Sequence, residues 1–542
     1  MGKGFRFWTS FLVIFSLVST LVYLAFQMTG REGTVSVQIG KIPASLDPSQ
    51  ACGPEERLIN AALYESLLDY DPEGRVYEGV LAEKWEVARE GRLYTFFLRK
   101  DLRFHNGLPV TAGDVKFSWE RLLEPGNSGN YGYLLQNVVG AGEKLKGSAR
   151  EVKGLEVVDP FTFRVFLKEP DWTFPAVASS PALAVVNQKV IRQYGPAYGS
   201  SGSPVVGTGP FYLASWGPEK IVLRRNWRYF REKPRFKTVE FLVMEKPQEA
   251  RRFFEDGKID ILAGVPPQFA LNLKEKEKGK EGKPGVAVME KPVLALYFLG
   301  FNLEQAPFGK NRELRQAIDR ALDKERITGE LLGAGGRALE GFLPPELFAG
   351  QGIEVSRKVN TGRQEALRLL ARAGFPYGSR LPSLVFAYND SPGHEFLARF
   401  LQDQLGQVGI DLEVKKIPWQ KFQSELHAGA YPFFRLGWEA DYPEAGNFLY
   451  YNFASGEIGR NNYTGYRNST LDVLLEKARR EKNPDHRARI YRDAEDIILS
   501  DVPVIPLFQR VVVFVYRENL EGLSVNLLGR IDFRHLRRTS RY

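Results

Sequence analysis

Residues 433 to 453 read FFRLGWEADYPEAGNFLYYNF, which places Arg435, Gly437, Trp438, Glu439 and Asp441 within seven positions and continues through Tyr442 into further aromatics. Arg435 carries a forked guanidinium suited to a carboxylate, and Asp441 a carboxylate suited to an ammonium group. In an extended strand, residues an even number apart project to one face, and six positions at about 3.3 Å each separate the two Cα atoms by roughly 20 Å. On the order of three to four extended residues of a zwitterionic molecule fit between such anchors. Residues 436–440 offer a strand edge on which an extended backbone can pair. A ligand with its amine at Asp441 would run antiparallel to this strand. Trp438 falls on the opposite face, where it either packs in a core or walls a side-chain pocket. The plain alternative is that Arg435 and Asp441 are surface charges flanking a buried strand.

The totals narrow the classes. At 542 residues the chain exceeds a single core, so two or three domains are expected. The net charge of +9 comes from 74 Lys and Arg nearly balanced by 65 Asp and Glu, with a surplus gathered in the terminal RIDFRHLRRTSRY. That tail reads as solvated, or as a contact with anionic lipid or a partner, and no nucleic-acid partner is expected. One cysteine, Cys52, and five scattered histidines leave no disulfide framework and no zinc spacing.

Lys3 and Arg6 precede an uncharged apolar stretch over residues 7–26. It is longer than a secretory core of about 7 to 15 residues and ends at a poor cleavage site, whereas a bilayer needs about 20 apolar residues. An uncleaved membrane anchor over residues 1–30 is expected, with a cleaved signal peptide as the alternative. Either way the rest of the chain is exported.

Periodicity supplies the elements that position the charged pair. GTVSVQI reads as a strand and EERLINAALYESLLDYD as a helix. Thr111 followed by Asp114 reads as a capping-box variant opening another helix. GTGP at 207–210 lacks the lysine and helix opening of a phosphate loop and reads as a turn. KEKEKGKEGKPG, 274–285, reads as a solvated loop. NRELRQAIDRALDKERITGELL reads as one amphipathic helix, and it belongs to a second series in which strands alternate with long helices, the mark of an α/β domain. Residues 485–516 read as a helix running into buried strands that return to the first domain.

In order, SLDPS, ALYESLLDYDPEGRVYEGVLAEKWEV, YTFFLRKDLRFHNGLPVTAGDVKFSWERLLEP, GTGPFYLASW, FLGFNLEQAPFGKNRELRQAIDRALDKERI, LQDQLGQVGIDLEV, GWEADYPEAGNFL and DAEDIILSDVPVIPLF resemble the family 5 extracellular solute-binding proteins of ABC importers. The resemblance implies an α/β, two-lobed, type II periplasmic-binding-protein clamshell. Its first lobe would comprise 31–66, 204–290 and 507–542, an inserted subdomain 67–203, and the second lobe 291–506. It implies capture of short peptides, about two to five residues long, for permease subunits of the transporter, by a monomer at the extracytoplasmic face, with no cofactor. Oligopeptide binders of the family carry an Arg, a Gly-Trp and an Asp at the spacing of Arg435, Gly437, Trp438 and Asp441, and a pocket-lining Trp where Trp419 stands.

The chain departs from that pattern at Glu439, where relatives often have a disulfide-bonded cysteine. Glu439 shares the face of Arg435 and Asp441, and either neutralises Arg435 or favours a basic ligand. His394 lies in a window where some relatives use a histidine for a carboxylate, with a plain surface helix-start role as its alternative. Cys52 and Gly53 are candidates for backbone contacts from the first lobe. No nucleophile with a base and no paired carboxylates of a hydrolase are spaced for catalysis, so an enzyme is not expected. The open alternatives are a sugar binder, with Trp419, Trp438, Tyr442, Tyr450 and Tyr451 stacking on sugar faces, and a binder of a metal chelate.

Overall fold

The computed structural model describes residues 33–51, 53–70, 76–127, 131–277, 285–332, 335–349, 351 and 362–539. The expected membrane segment, 7–26, and Cys52 lie outside these. Among the described residues no helix is long and apolar enough to cross a membrane.

Among the described residues, eleven strands form one mixed sheet. In order they are Leu412–Ile417, Leu384–Asn389, Phe433–Glu439, Val286–Phe301, Val504–Arg517, Ile261–Ala263, Thr34–Ile39, Thr238–Val243, Lys220–Arg225 and Phe211–Trp216, with Gly336–Ala338 paired to Val504–Arg517. The two longest strands, Val286–Phe301 and Val504–Arg517, join the two halves of this sheet. Residues 286–292 pair antiparallel with 511–517 beside Ile261–Ala263, and residues 296–300 pair with 504–509 beside Phe433–Glu439. Between the stretches the register breaks at Pro292/Leu296, and it slips again where Phe298 meets Pro506. A proline has no N–H to give a ladder, which is why these breaks sit at prolines. The runs on either side, such as VVVFVY, are β-branched and aromatic, the composition that suits a buried pleated surface.

Packing follows the same division. One apolar core gathers Val35, Ile59, Phe211, Phe241 and Phe533 under the first half of the sheet, and another gathers Leu299, Phe301, Phe386, Leu401 and Ile505 under the second. Between the first of these in sequence stands a four-stranded antiparallel sheet of Ala82–Ala88, Leu93–Leu98, Thr162–Phe166 and Leu155–Asp159. Its face packs on Trp119 of the helix Ala112–Leu122, and this core takes in Tyr442 and Tyr451 from far along the chain. The Thr111–Asp114 capping box is formed.

Two segments depart from the sequence reading. The expected single helix from 311 is broken into Arg312–Ala321 and Lys324–Ile327, followed by a wide turn over Thr328–Leu332. Leu322 is extended between them, and the Asp323 carboxylate caps the second piece by accepting from Arg326 N–H, so a local cap overrides the continuing amphipathic pattern. The helix Pro267–Glu277 runs into the stretch read as a loop, because Ala270 and Leu273 are buried and hold its apolar side down.

Candidate functional site

The helix Pro54–Leu63 packs on the first half of the sheet, its Leu58, Ile59, Ala62 and Leu63 entering the core with Val35, Phe211 and Phe241. It can seat there because Gly207 and Gly209 press against its last turn: a Cβ on Gly207 would run into the Leu63 carbonyl oxygen, and one on Gly209 into that of Ala62. The GTGP segment therefore serves close backbone approach. Gly53 caps the helix start in extended conformation, and Arg57 projects from the helix one turn later.

The strand Phe433–Glu439 meets this helix from the other half. On one edge it pairs with Val286–Phe301, and the Ala440 N–H continues that ladder to the Leu294 carbonyl at 2.7 Å. Backbone groups alternate along a strand, so 436, 438 and 440 turn toward this neighbour while 437 and 439 turn outward. The outward edge pairs with Leu384–Asn389 only at Phe433 and Phe434. Beyond Phe434 no strand covers it among the described residues.

Asp441 follows the strand. Its Oδ2 accepts from the Tyr133 hydroxyl, and its N–H donates to Asn447 Oδ1 at 3.3 Å. The same Asn447 oxygen accepts from Trp438 Nε1 at 3.0 Å, so one buried side chain fixes both ends of the turn. Burial pushes the Asp441 carboxyl up to about 6, with Glu439 adding to the shift while the Tyr133 hydrogen bond and Arg57 oppose it. Glu439 is 32% exposed in its side chain and pairs with Arg57 and with Arg510, whose Nη1 lies 2.7 Å from Oε1. It forms no ion pair with Arg435, so the expected neutralisation of Arg435 does not occur; the strand face is shared, but Arg57 and Arg510 take the charge.

Asp441, Glu439, Arg57 and Arg510 line a cavity of about 170 Å³ between the two halves. Asn60, Glu65, Asp69, Ser180, Arg530 and Arg534 are among its other polar lining residues. Glu65 accepts from the Tyr229 hydroxyl, and burial raises its carboxyl to about 7 against the opposing pull of that hydrogen bond and of Arg534.

Arg435 lies in a second cluster and does not line this cavity. It is 6% exposed, donates to Asn389 Oδ1 at 3.1 Å and stacks with its guanidinium carbon 4.3 Å from the Tyr297 ring centre. It has no ion pair among the described residues, its Nε has no hydrogen-bond partner, and burial lowers it to about 10, with Tyr297 opposing. Gly437 leaves room for it: Arg435 Nη2 would stand 3.5 Å from a Cβ at 437, and the Leu296 carbonyl 3.2 Å. His394 joins this cluster through Nδ1, 3.0 Å from the Asn389 carbonyl, and is pushed down to about 4 by burial and then by Arg435. Trp438 packs on Tyr133 and Tyr451, with ring centres 6.4 Å from each, and Tyr442 is buried with its hydroxyl 3.5 Å from that of Tyr451. Trp419 opens the helix Trp419–His427, is 48% exposed and lines neither cluster. Among the described residues no group of three or more His, Cys, Asp or Glu is placed to hold a metal ion.

The model of the bacterial extracellular solute-binding proteins, family 5, matches residues 76–460. The chain belongs to this family. It is 27% identical to the oligopeptide-binding protein OppA of Bacillus subtilis, across 97% of this chain and 98% of that one, and 29% identical to the periplasmic OppA of Haemophilus influenzae, across 94% and 96%. The crystal structure of the Haemophilus influenzae protein in complex with RPPGFSPFR superposes with a TM-score of 0.76 at 28% identity, covering 94% of this chain and 99% of that one. The unliganded open form of the murein tripeptide binding protein MppA, 24% identical, has a TM-score of 0.74 and shares the fold, with 94% and 99% covered. As a member, the chain is a solute-binding protein with the mixed α/β architecture of periplasmic binding proteins.

Arg57, Tyr133, Arg510 and Arg530 escaped the sequence reading as site residues, Arg530 although it opens the basic terminal segment, because only the fold brings them to the region of Asp441. Asn447 stands in the segment 433–453 itself, six residues after Asp441.

Proposed function

We propose that the protein captures short peptides between two lobes and hands them to the permease of an ABC importer. The single observation that carries this reading is the half-buried Asp441 carboxylate standing at the end of an uncovered strand edge, with the unpaired guanidinium of Arg435 back along the same strand. Such a set meets the needs of an extended zwitterion: the edge takes its backbone, Asp441 its ammonium and Arg435 a carboxylate. In this reading the first lobe comprises 31–66, 204–290 and 507–542, with 67–203 inserted into it, and the second comprises 291–506. The crossings lie at the register breaks near Pro292 and Gln509, which serve as the hinge. The peptide binders among the relatives support the ligand class.

Sugar stacking is disfavoured because Trp438, Tyr442 and Tyr451 are consumed by packing against Tyr133 and one another. Residues 7–26 hold the protein at the extracytoplasmic face of the membrane as a monomer. Calorimetric titration with tripeptides, cello-oligosaccharides and nickel chelates tests the reading: heat from peptides alone is expected, and binding of either of the others with silence from peptides overturns it.

A further inference from the structure

The charges of the cavity beside Asp441 do not all find partners. Arg57 and Arg510 share Glu439, and Arg534 pairs with Asp532 through Nη2 at 2.8 Å. Arg530 is different. It arrives on the segment after the strand Val504–Arg517, held in place because its N–H donates to Asn526 Oδ1 at 3.0 Å and its carbonyl accepts from Asn526 N–H at 3.0 Å. Its guanidinium forms no ion pair among the described residues, and its Nε is buried without a hydrogen-bond partner. Asp69 and Glu65 lie on the same wall and attract it, Arg57 repels it, and neither acid reaches ion-pair distance.

Two further donors on this wall are also unsatisfied. Asn60, 7% exposed on the helix Pro54–Leu63, has neither its Nδ2 nor its Oδ1 bonded, and the Ser180 hydroxyl is fully buried without a partner. A buried donor left unmade costs about 1 to 3 kcal/mol, more when charged. Arg530, Asn60 and Ser180 thus come from three separate segments and line one cavity, as does Arg510 with its own unpartnered Nε, and a ligand bringing acceptor oxygens would supply the partner that the Arg530 guanidinium lacks.

We propose that Arg530, with Asn60 and Ser180, binds a carboxylate of the ligand inside the cavity that Asp441 lines. The inference rests on the peptide reading, and it gives that reading a specificity. The cavity is below the several hundred Å³ that encloses a whole ligand, so it takes the amine end. The carboxylate is then either the side chain of an acidic first residue or the C-terminus of a dipeptide, in which case Arg435 serves only longer ligands.

Calorimetry of the full chain and of Arg530→Gln separates the sources, using Glu-Ala-Ala against Gln-Ala-Ala and Ala-Ala against Ala-Ala-amide. The wild type is expected to prefer the carboxylate member of one pair by roughly tenfold or more, as a desolvated charge pair should. In Arg530→Gln that preference should fall to a few-fold, while Arg530→Lys retains part of it. A preference in the first pair identifies the acidic side chain, and in the second the dipeptide terminus. Peptides that bind the wild type with no preference in either pair, or with one that survives Arg530→Gln, overturn the carboxylate site and leave the peptide reading standing. Absence of any peptide binding to the wild type overturns the peptide reading, and this inference with it.

Discussion

Arg479 reaches Asp171 Oδ2 with both Nη2, at 2.9 Å, and Nε, at 3.2 Å, joining the segment beside the four-stranded sheet to the helix Ser469–Arg480 of the other half. Both side chains are almost wholly buried, and the Trp172 N–H donates to the Arg479 carbonyl at 2.9 Å alongside them. Asp171 Oδ1 is meanwhile occupied by Thr173, through its N–H and its hydroxyl.

Removing the charge of Asp171 should strand that guanidinium. Asp171→Asn is expected to destabilise the protein by about 3 kcal/mol, because breaking one partner of a buried pair leaves the other uncompensated. Denaturant unfolding measures it; a loss under about 1 kcal/mol would mean the pair is solvated and does not hold the two parts together.

Glu439 should behave differently, because it is partly exposed. Its bridge from the strand Phe433–Glu439 to Arg57 and Arg510 is worth about 1 kcal/mol at low salt and less when screened. Small-angle scattering of the unliganded protein should show Glu439→Gln larger than the wild type at low salt, with the two converging at about 1 M. Equal radii at low salt would show that Glu439 does not hold the halves together.

Acid should weaken peptide binding through Asp441. Its raised carboxyl, at about 6, means the free protein holds that proton more tightly than the unfolded chain does. Its contribution to stability is therefore fully present at low pH and is lost as pH rises through about 6. A bound ammonium favours the ionised form, so binding releases a proton below pH 6, and affinity falls about tenfold from pH 7 to pH 5. Glu65, raised to about 7 in the same cavity, also titrates in this window. The share that disappears in Asp441→Asn is the one assigned to Asp441, and an unchanged pH slope in that variant contradicts the assignment.

Legibility in the sequence followed periodicity and local chemistry. The strand Phe433–Glu439 and the Thr111 cap are readable because alternation and capping act over a few residues. The break at Leu322 is not, since the apolar pattern continues through it and only the Asp323 cap marks it. A shared strand face points Glu439 either to Arg435 or to a basic ligand; its partners stand 382 and 71 residues away, on a helix and on a crossing strand. The aromatic run after Asp441 hinted at stacking on a ligand, yet Tyr133, distant in sequence, converts Trp438 and Tyr451 into packing between parts of the protein.

The role of Asp441 toward a peptide amine is tested most directly by calorimetry of one tripeptide and its N-acetylated form on the wild type and on Asp441→Asn. Asp441→Asn keeps the size and removes the charge, so the unmodified peptide should lose about 2 to 5 kcal/mol, roughly 30-fold to several thousandfold in affinity. Acetylation should cost the wild type a similar amount and the variant little, because both changes delete the same interaction. A wild type indifferent to N-acetylation would contradict the amine assignment and leave Asp441 as a structural acid held by Tyr133.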